Sequence, residues 1–320
     1  MLQRGPDFSF LYIALMNPDL SVRLGSIDLK NPIMTASGCF GYGLELEDLI
    51  DLNELGGIVS KSLTLEPRMG TPPHRLLETP SGLINAIGLE NIGVEAFLKE
   101  KLPRLQKYKT AVFANIMGNT VEEYGAVAAK FRGNQHIAGL EINISSPNTK
   151  KGGMHFGVDP EMTYQVVRAV RDATDRPVIA KLSPNVTDIV VIAKRAIDAG
   201  ADLISLINTL WAFAIDIETG KPHLGNVTGG LSGPAIKPVA LRMVYQVARQ
   251  IPNPVIGIGG IATLQDVIEF LMAGASAVQI GTANFYEPTI TMRLIRELRE
   301  YCVQKGIEQI RTLIGSVRVS

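Results

Sequence analysis

The chain has 320 residues, 46% of them hydrophobic, with 31 glycines and 18 prolines, enough for a large core in one big α/β domain or two smaller ones. Its 31 basic residues balance 31 acidic ones, which removes the basic excess of a nucleic-acid binder and the acidic tail of a disordered segment. Two cysteines, Cys39 and Cys302, are too few for a disulfide framework, an iron–sulfur cluster or an all-cysteine zinc site. The scattered His74, His136, His155 and His223 show no paired ligand spacing, so the expectation is no metal and a reducing, cytoplasmic setting.

In chain order, the apolar stretch 8–16 (FSFLYIALM) is too short to span a bilayer and does not end in a small-residue cleavage site. Residues 1–23 are therefore read as an N-terminal arm that packs on the protein, or that includes a start upstream of a true one at Met16. A surface amphipathic anchor is the lesser alternative. From residue 24 to 320 apolar runs alternate with helical patterns. The predicted strands are 33–36, 57–61, 111–116, 138–144, 177–182, 202–207, 254–258 and 276–281. The predicted helices are 45–55, 92–107, 120–132, 160–174, 187–199, 235–250, 263–273 and 289–304. Thr187 or Asp188 caps the fifth helix and Gly200 stops it; Thr263 opens the seventh and Gly274 ends it.

Continuous apolar strands separated by helices imply a parallel sheet covered on both faces. Eight units favour a single-domain (β/α)8 TIM barrel over an open sheet. Two connections, 62–91 and 208–234, are longer than a barrel needs. Both leave the C-terminal ends of strands, where barrel active sites sit, so they are read as functional extended loops.

The strand ends carry the chemistry. Residues 139–148 (GLEINISSPN) run from a strand into Asn143, Ser145, Ser146 and Asn148. Carboxamides donate and accept at once, which suits the cradle of a planar polar substrate as well as a capped turn. Lys61 and Lys181 each follow apolar strand residues; burying a bare ammonium is costly, so each is paired, functional, or snorkelling at a strand tip. Glycines gather at 229–233, 259–260 and 281, where backbone N–H groups can approach an anion, so a phosphate-bearing cofactor is expected. The GxGxxA match at 257–262 is not read as a dinucleotide fingerprint, because no acidic residue closes the next strand. A Schiff-base lyase or aldolase built on Lys181 is the competing chemistry; it leaves the asparagines and glycines without a role.

With these residues assembled, the chain resembles dihydroorotate dehydrogenase, particularly the catalytic subunit of the NAD-linked class 1B form. The motifs are TASG (35–38), SKSLT (60–64), NAIGLEN (85–91), EINISSPN (141–148), KLSPN (181–185), INT (207–209), GGLSGPAIKP (229–238), GIGGI (257–261) and IGTA (280–283), spread over about 24–314. The resemblance implies oxidation of dihydroorotate to orotate on FMN in pyrimidine biosynthesis, with a proton lost from C5 and a hydride from C6. It implies that Ser37, Lys61, Ser62, Asn115, Asn143, Lys181, Ile207, Gly233, Gly259, Gly260, Gly281 and Thr282 hold FMN. Lys61, Asn85, Ala86, Ile87, Gly88, Leu89, Asn143, Asn148, Asn208 and Thr209 would hold the substrate, and Asn148 favours orotate over uracil or thymine. Lys181 would stabilise the charge of the reduced flavin.

One position departs from the class 1 pattern. The catalytic-base position, a cysteine in class 1, is Ser146 here, as is typical of the membrane-linked class 2; Lys61 is assigned beside it as catalytic. An alcohol is a far weaker acid than a thiol, so Ser146 needs an assisting base or relay. With its neighbours intact, Ser146 is read as a natural variant before an engineered replacement or a relative with altered activity; a non-catalytic FMN-binding homologue is the remaining alternative. The short N-terminus and the 62–91 segment fit class 1. The resemblance further implies a homodimer, or a heterotetramer with a partner subunit carrying FAD and an iron–sulfur cluster that reduces NAD. The glycine-containing segment 149–158 is expected to act as a lid.

Overall fold

In a computed structural model that describes residues 17–145 and 156–319, eight parallel strands close into a barrel. They are β1 (Ile33–Thr35), β2 (Gly57–Val59), β3 (Ala111–Ile116), β4 (Gly139–Asn143), β5 (Val178–Leu182), β6 (Leu203–Leu206), β7 (Val255–Ile258) and β8 (Ala277–Ile280). Neighbours around the barrel follow chain order, and β8 closes on β1 with Gln279 opposite Met34. All eight predicted strands are present, and a single-domain (β/α)8 barrel is the architecture. Side chains alternate across each strand. On β4, Leu140 and Ile142 take one face while Glu141 and Asn143 take the other, and all four are buried.

Six of the predicted helices form largely as expected: Val121–Ala129, Pro160–Ala173, Ile189–Asp198, Lys237–Ala248, Leu264–Ala273 and Ile290–Lys305. Asp188 caps the helix that starts at Ile189 by accepting from the Val190 N–H, and Thr263 with Asp266 forms a capping box on the helix that starts at Leu264.

The first two differ. Over 45–55 there are turns and a short 3-10 helix, Leu52–Glu54, in place of an α-helix. The Glu45 carboxylate accepts from the N–H groups of Tyr42 (2.9 Å) and Leu44 (3.0 Å), and Asp51 accepts from Asn53 N–H at 2.9 Å. Such local side-chain bonds offer the backbone an alternative to the helix. The second helix is split into Val94–Ala96, a π-helical turn at Phe97–Lys101, and Leu102–Leu105. Pro103 has no N–H to continue the ladder, which accounts for the irregular turn before it.

The long connections are not loops. Strands Leu76–Thr79 and Gly82–Asn85 from one pair with Leu210–Phe213 and Thr228–Ser232 from the other, making a four-stranded antiparallel sheet. Gly229 and Gly230 permit the close approach: a Cβ on Gly230 would lie 2.1 Å from Thr209 Oγ1, and one on Gly229 would lie 2.6 Å from the Asn85 carbonyl oxygen. An antiparallel pair, Val22–Leu24 with Ile27–Leu29, precedes β1. Residues 1–16 of the predicted arm over 1–23 lie outside the described residues, and its end enters the strand Val22–Leu24.

Candidate functional site

Inward-facing polar side chains from five strands meet inside the barrel. Glu141 on β4, fully buried, is their hub. Its Oε1 accepts from Asn115 Nδ2 (2.7 Å, β3) and Lys181 Nζ (3.3 Å, β5). Its Oε2 accepts from Ser205 Oγ (3.0 Å, β6) and Gln279 Nε2 (2.7 Å, β8). Burying a carboxylate is tolerable only with such pairing. Gln279 Oε1 is left buried without a hydrogen-bond partner among the described residues.

A chain of polar contacts runs on from this hub to the strand ends. Ser62 Oγ donates to Asn115 Oδ1 at 2.5 Å, and Asn143 Nδ2 donates to Ser62 Oγ at 3.2 Å. Asn208 Nδ2 in turn donates to Asn143 Oδ1 at 3.2 Å. Tyr124, from the helix Val121–Ala129, donates its hydroxyl to the Asn143 carbonyl at 2.7 Å and fixes the end of β4. Lys181 Nζ also donates to Ser37 Oγ at 2.8 Å, just beyond β1.

Beside this network opens a cavity of about 230 Å³. Its wall includes Ser37, Lys181, Ile207, Asn208, Thr209, Gly233, Gly259, Gly260, Gly281 and Thr282, so residues distant in sequence converge on one space. The glycine turns are shaped for close approach. Gly260 has φ +74°, and a Cβ there would lie 2.8 Å from the Gly233 carbonyl oxygen and 2.7 Å from Lys237 Cβ. Thr282 Oγ1 donates to Ser232 Oγ at 2.7 Å and joins two of these turns. Lys237 Nζ bonds Asp266 (2.6 Å) and Glu269 (2.9 Å), tying the helix after Gly233 to the helix after Gly260.

A phosphate-tailed, planar cofactor fits these residues. The glycine turns leave room beside backbone amides, while Lys181, Ser37 and the carboxamides give a cation, a hydroxyl and amide edges on the polar side.

The remaining predicted residues sit around this space. Half-buried Lys61 follows β2, and its backbone N–H donates to the Gly41 carbonyl at 2.8 Å. Asn85 ends the strand Gly82–Asn85 and donates from Nδ2 to the Gly230 carbonyl at 3.1 Å. Ala86, Ile87, Gly88 and Leu89 continue from it, with Gly88 and Leu89 both at positive φ (72° and 60°). Among the described residues, Lys61, Ser62, 85–89, Asn115 and Asn143 are not part of the cavity wall; Ser62, Asn115 and Asn143 belong to the polar network beside it. Ser146, Asn148 and the 149–155 part of the expected lid lie outside the described residues.

The sequence reading missed Glu141, Ser205, Gln279, Tyr124 and Cys39. The signal for Glu141 was present: a carboxylate within an apolar strand must find partners. Cys39 lines the cavity, where desolvation pushes its thiol up to about 11 against the opposing pull of Lys181. It stays protonated at neutral pH and makes a poor nucleophile.

Comparison with known proteins bears on this arrangement. The family described as "Dihydroorotate dehydrogenase" matches residues 19–302. A protein of Geobacter sp. (strain M21), named "Dihydroorotate dehydrogenase B (NAD(+)), catalytic subunit", is 53% identical over 305 residues, covering 95% of this chain and 100% of the relative. One of the same name from Citrifermentans bemidjiense has the same identity and coverage. A third, from Geobacter sulfurreducens, is 52% identical over 305 residues, again 95% of this chain and 100% of the relative.

Proposed function

Because the chain belongs to the dihydroorotate dehydrogenase family, and is an oxidoreductase of that kind, we propose that it oxidises dihydroorotate to orotate on bound FMN and serves pyrimidine biosynthesis as the catalytic subunit of a larger enzyme. The observation that carries the cofactor assignment is the placement of Lys181: one ammonium bonded to Ser37 and Glu141 in the wall of a cavity that the glycine turns at Gly233, Gly259, Gly260 and Gly281 also line.

FMN, when bound, supplies the two-electron acceptor that no amino-acid side chain provides. The chain's own residues bind and orient. Gly233, Gly259, Gly260, Gly281 and Thr282 hold the phosphate end, while Ser37, Ser62, Asn115, Asn143, Lys181 and Ile207 hold the ring. Asn143, Asn208, Thr209 and Asn148 meet the amide-like edges of the substrate, with 85–89 closing over it. Lys61, beyond the cavity wall, would meet the substrate carboxylate and the substrate-facing side of FMN. Ser146 Oγ takes the proton from C5, helped by a relay.

A Schiff-base mechanism is disfavoured because Lys181 Nζ is committed to two hydrogen bonds. A partner subunit carrying FAD and an iron–sulfur cluster would accept the electrons and reduce NAD; this reading rests on the name shared by the relatives and on a cysteine count of two. We place the assembly in the cytoplasm, either as a homodimer or as a heterotetramer with that subunit. Among the described residues no helix is long and apolar enough to cross a membrane.

The test is an absorbance spectrum of purified protein followed by anaerobic addition of dihydroorotate. A flavin spectrum that bleaches supports the assignment. A colourless protein that takes up no added FMN defeats it, and a yellow protein that dihydroorotate leaves unbleached retains the cofactor but loses the substrate.

A further inference from the structure

Binding of cofactor and substrate leaves the most expensive group in the barrel without a purpose. Glu141 is a fully buried carboxylate, and it does not line the cavity. A plug for the barrel could be built from apolar side chains at no loss of stability, since buried ion pairs are often matched or bettered by well-packed hydrophobes. Instead, four donors from four other strands saturate both carboxylate oxygens. One of these donors, Lys181, has a side chain only 5% exposed and stands in the cavity wall.

We propose that Glu141 is a positioning residue that acts through Lys181 to set the redox potential of the cofactor. It holds the ammonium at the cavity wall beside Ser37 and offsets part of its positive charge there. The proposal rests on the reading that FMN occupies this cavity. Electrons entering a flavin are favoured by nearby positive charge and opposed by nearby negative charge, and a pair 3.3 Å apart presents less of either than its members alone. Glu141 therefore restrains the pull of Lys181, keeping the reduced cofactor able to pass its electrons on.

Glu141→Gln removes the charge and keeps the shape. The new amide oxygen accepts from Asn115 and Lys181 as before. Ser205 can turn its hydroxyl to accept from the new amide N–H, and Gln279 can turn over to offer its unpartnered Oε1.

The experiment is a spectroelectrochemical titration of bound FMN, with dissociation constants for oxidised and reduced FMN, in the wild-type and Glu141→Gln proteins. The expected result is a more positive potential in the variant, with reduced FMN gaining at least tenfold in affinity relative to oxidised FMN, which is about 30 mV for a two-electron couple. A purely structural role would lower stability and leave the potential in place. If Glu141→Gln does not fold, Glu141→Asp decides: its charge, one methylene further from Lys181, should shift the potential in the same direction by less. An unchanged or more negative potential in the folded variant overturns the proposal alone. Wild-type protein that binds no FMN overturns the reading of the cavity and the proposal together.

Discussion

Asn208 Nδ2 lies 3.2 Å from Asn143 Oδ1, so residues following β6 and ending β4 are bridged across the mouth of the barrel although β5 stands between those strands. Because Asn143 also donates to Ser62, a single carboxamide ties the side of the site assigned to the substrate to the side assigned to the cofactor.

Asn143→Ala should therefore impair catalysis more than folding. A hydrogen bond to the substrate that strengthens in the transition state is worth about 1–3 kcal/mol, so its loss should lower kcat/KM by about 5- to 150-fold. Steady-state turnover of dihydroorotate with an artificial electron acceptor measures it. Activity within twofold of wild type would remove Asn143 from the site.

The Lys181–Glu141 pair has a distinct signature in stability. Lys181→Met strands a fully buried carboxylate, for which the expected loss is about 3–5 kcal/mol. Adding Glu141→Gln to that variant removes the stranded charge and should restore most of the loss. Urea midpoints of the two variants and the wild type complete the comparison. Equal losses in the single and double variants would mean that the stranded charge is not the source of the loss, and the Glu141→Gln single variant completes the cycle that measures the coupling.

Tyr124 gives a pH dependence with a definite sign. Desolvation is the main cause holding its phenol well above the ordinary value of 10.0. A group whose folded-state value is raised stabilises the fold fully below the unfolded value and loses that contribution as pH rises beyond it. Unfolding free energy should therefore fall above about pH 10. Tyr124→Phe should be about 1–2 kcal/mol less stable at neutral pH, because the Asn143 carbonyl loses its donor, yet show a shallower alkaline decline. Parallel alkaline slopes for the two proteins would assign the decline to other groups.

For Ser146 the prediction is kinetic. If its hydroxyl takes the C5 proton, flavin reduction by dihydroorotate should be slow at neutral pH and accelerate in alkali. Ser146→Cys, with a thiol near an ordinary value of about 8.5, should bring that acceleration to lower pH. Stopped-flow bleaching across a pH series reads both profiles, and superimposable curves would mean that another group takes the proton.

The barrel was legible because its strands are buried on both faces. A run such as 177–182 is almost wholly apolar, and the strand Val178–Leu182 lies within it. The first helix was not, since the capping carboxylates of Glu45 and Asp51 lie inside an apolar pattern that by spacing alone reads as helical. The sheet built from the two long connections was invisible for a different reason: its central pairing joins Leu83 to Ser232, and no local pattern reports a partner that remote. Glu141 falls inside the EINISSPN motif, where the resemblance gives it no role. Alternation alone marks it as facing away from Leu140 and Ile142, but only closure of the barrel shows that this face is interior and brings Ser205 and Gln279 to it.

That four-stranded sheet also constrains the order in which the protein can be made. Its strand Thr228–Ser232 sits between one from the same connection and one from the first third of the chain. A nascent polypeptide that has emerged only as far as β6 carries the hairpin of Leu76–Thr79 and Gly82–Asn85 with the Gly82–Asn85 edge bare, awaiting a mate that has not yet emerged. Assembly over the barrel mouth is thus a late event during translation, and the exposed hairpin edge is the point at which a stalled or truncated product is most open to pairing with a foreign strand.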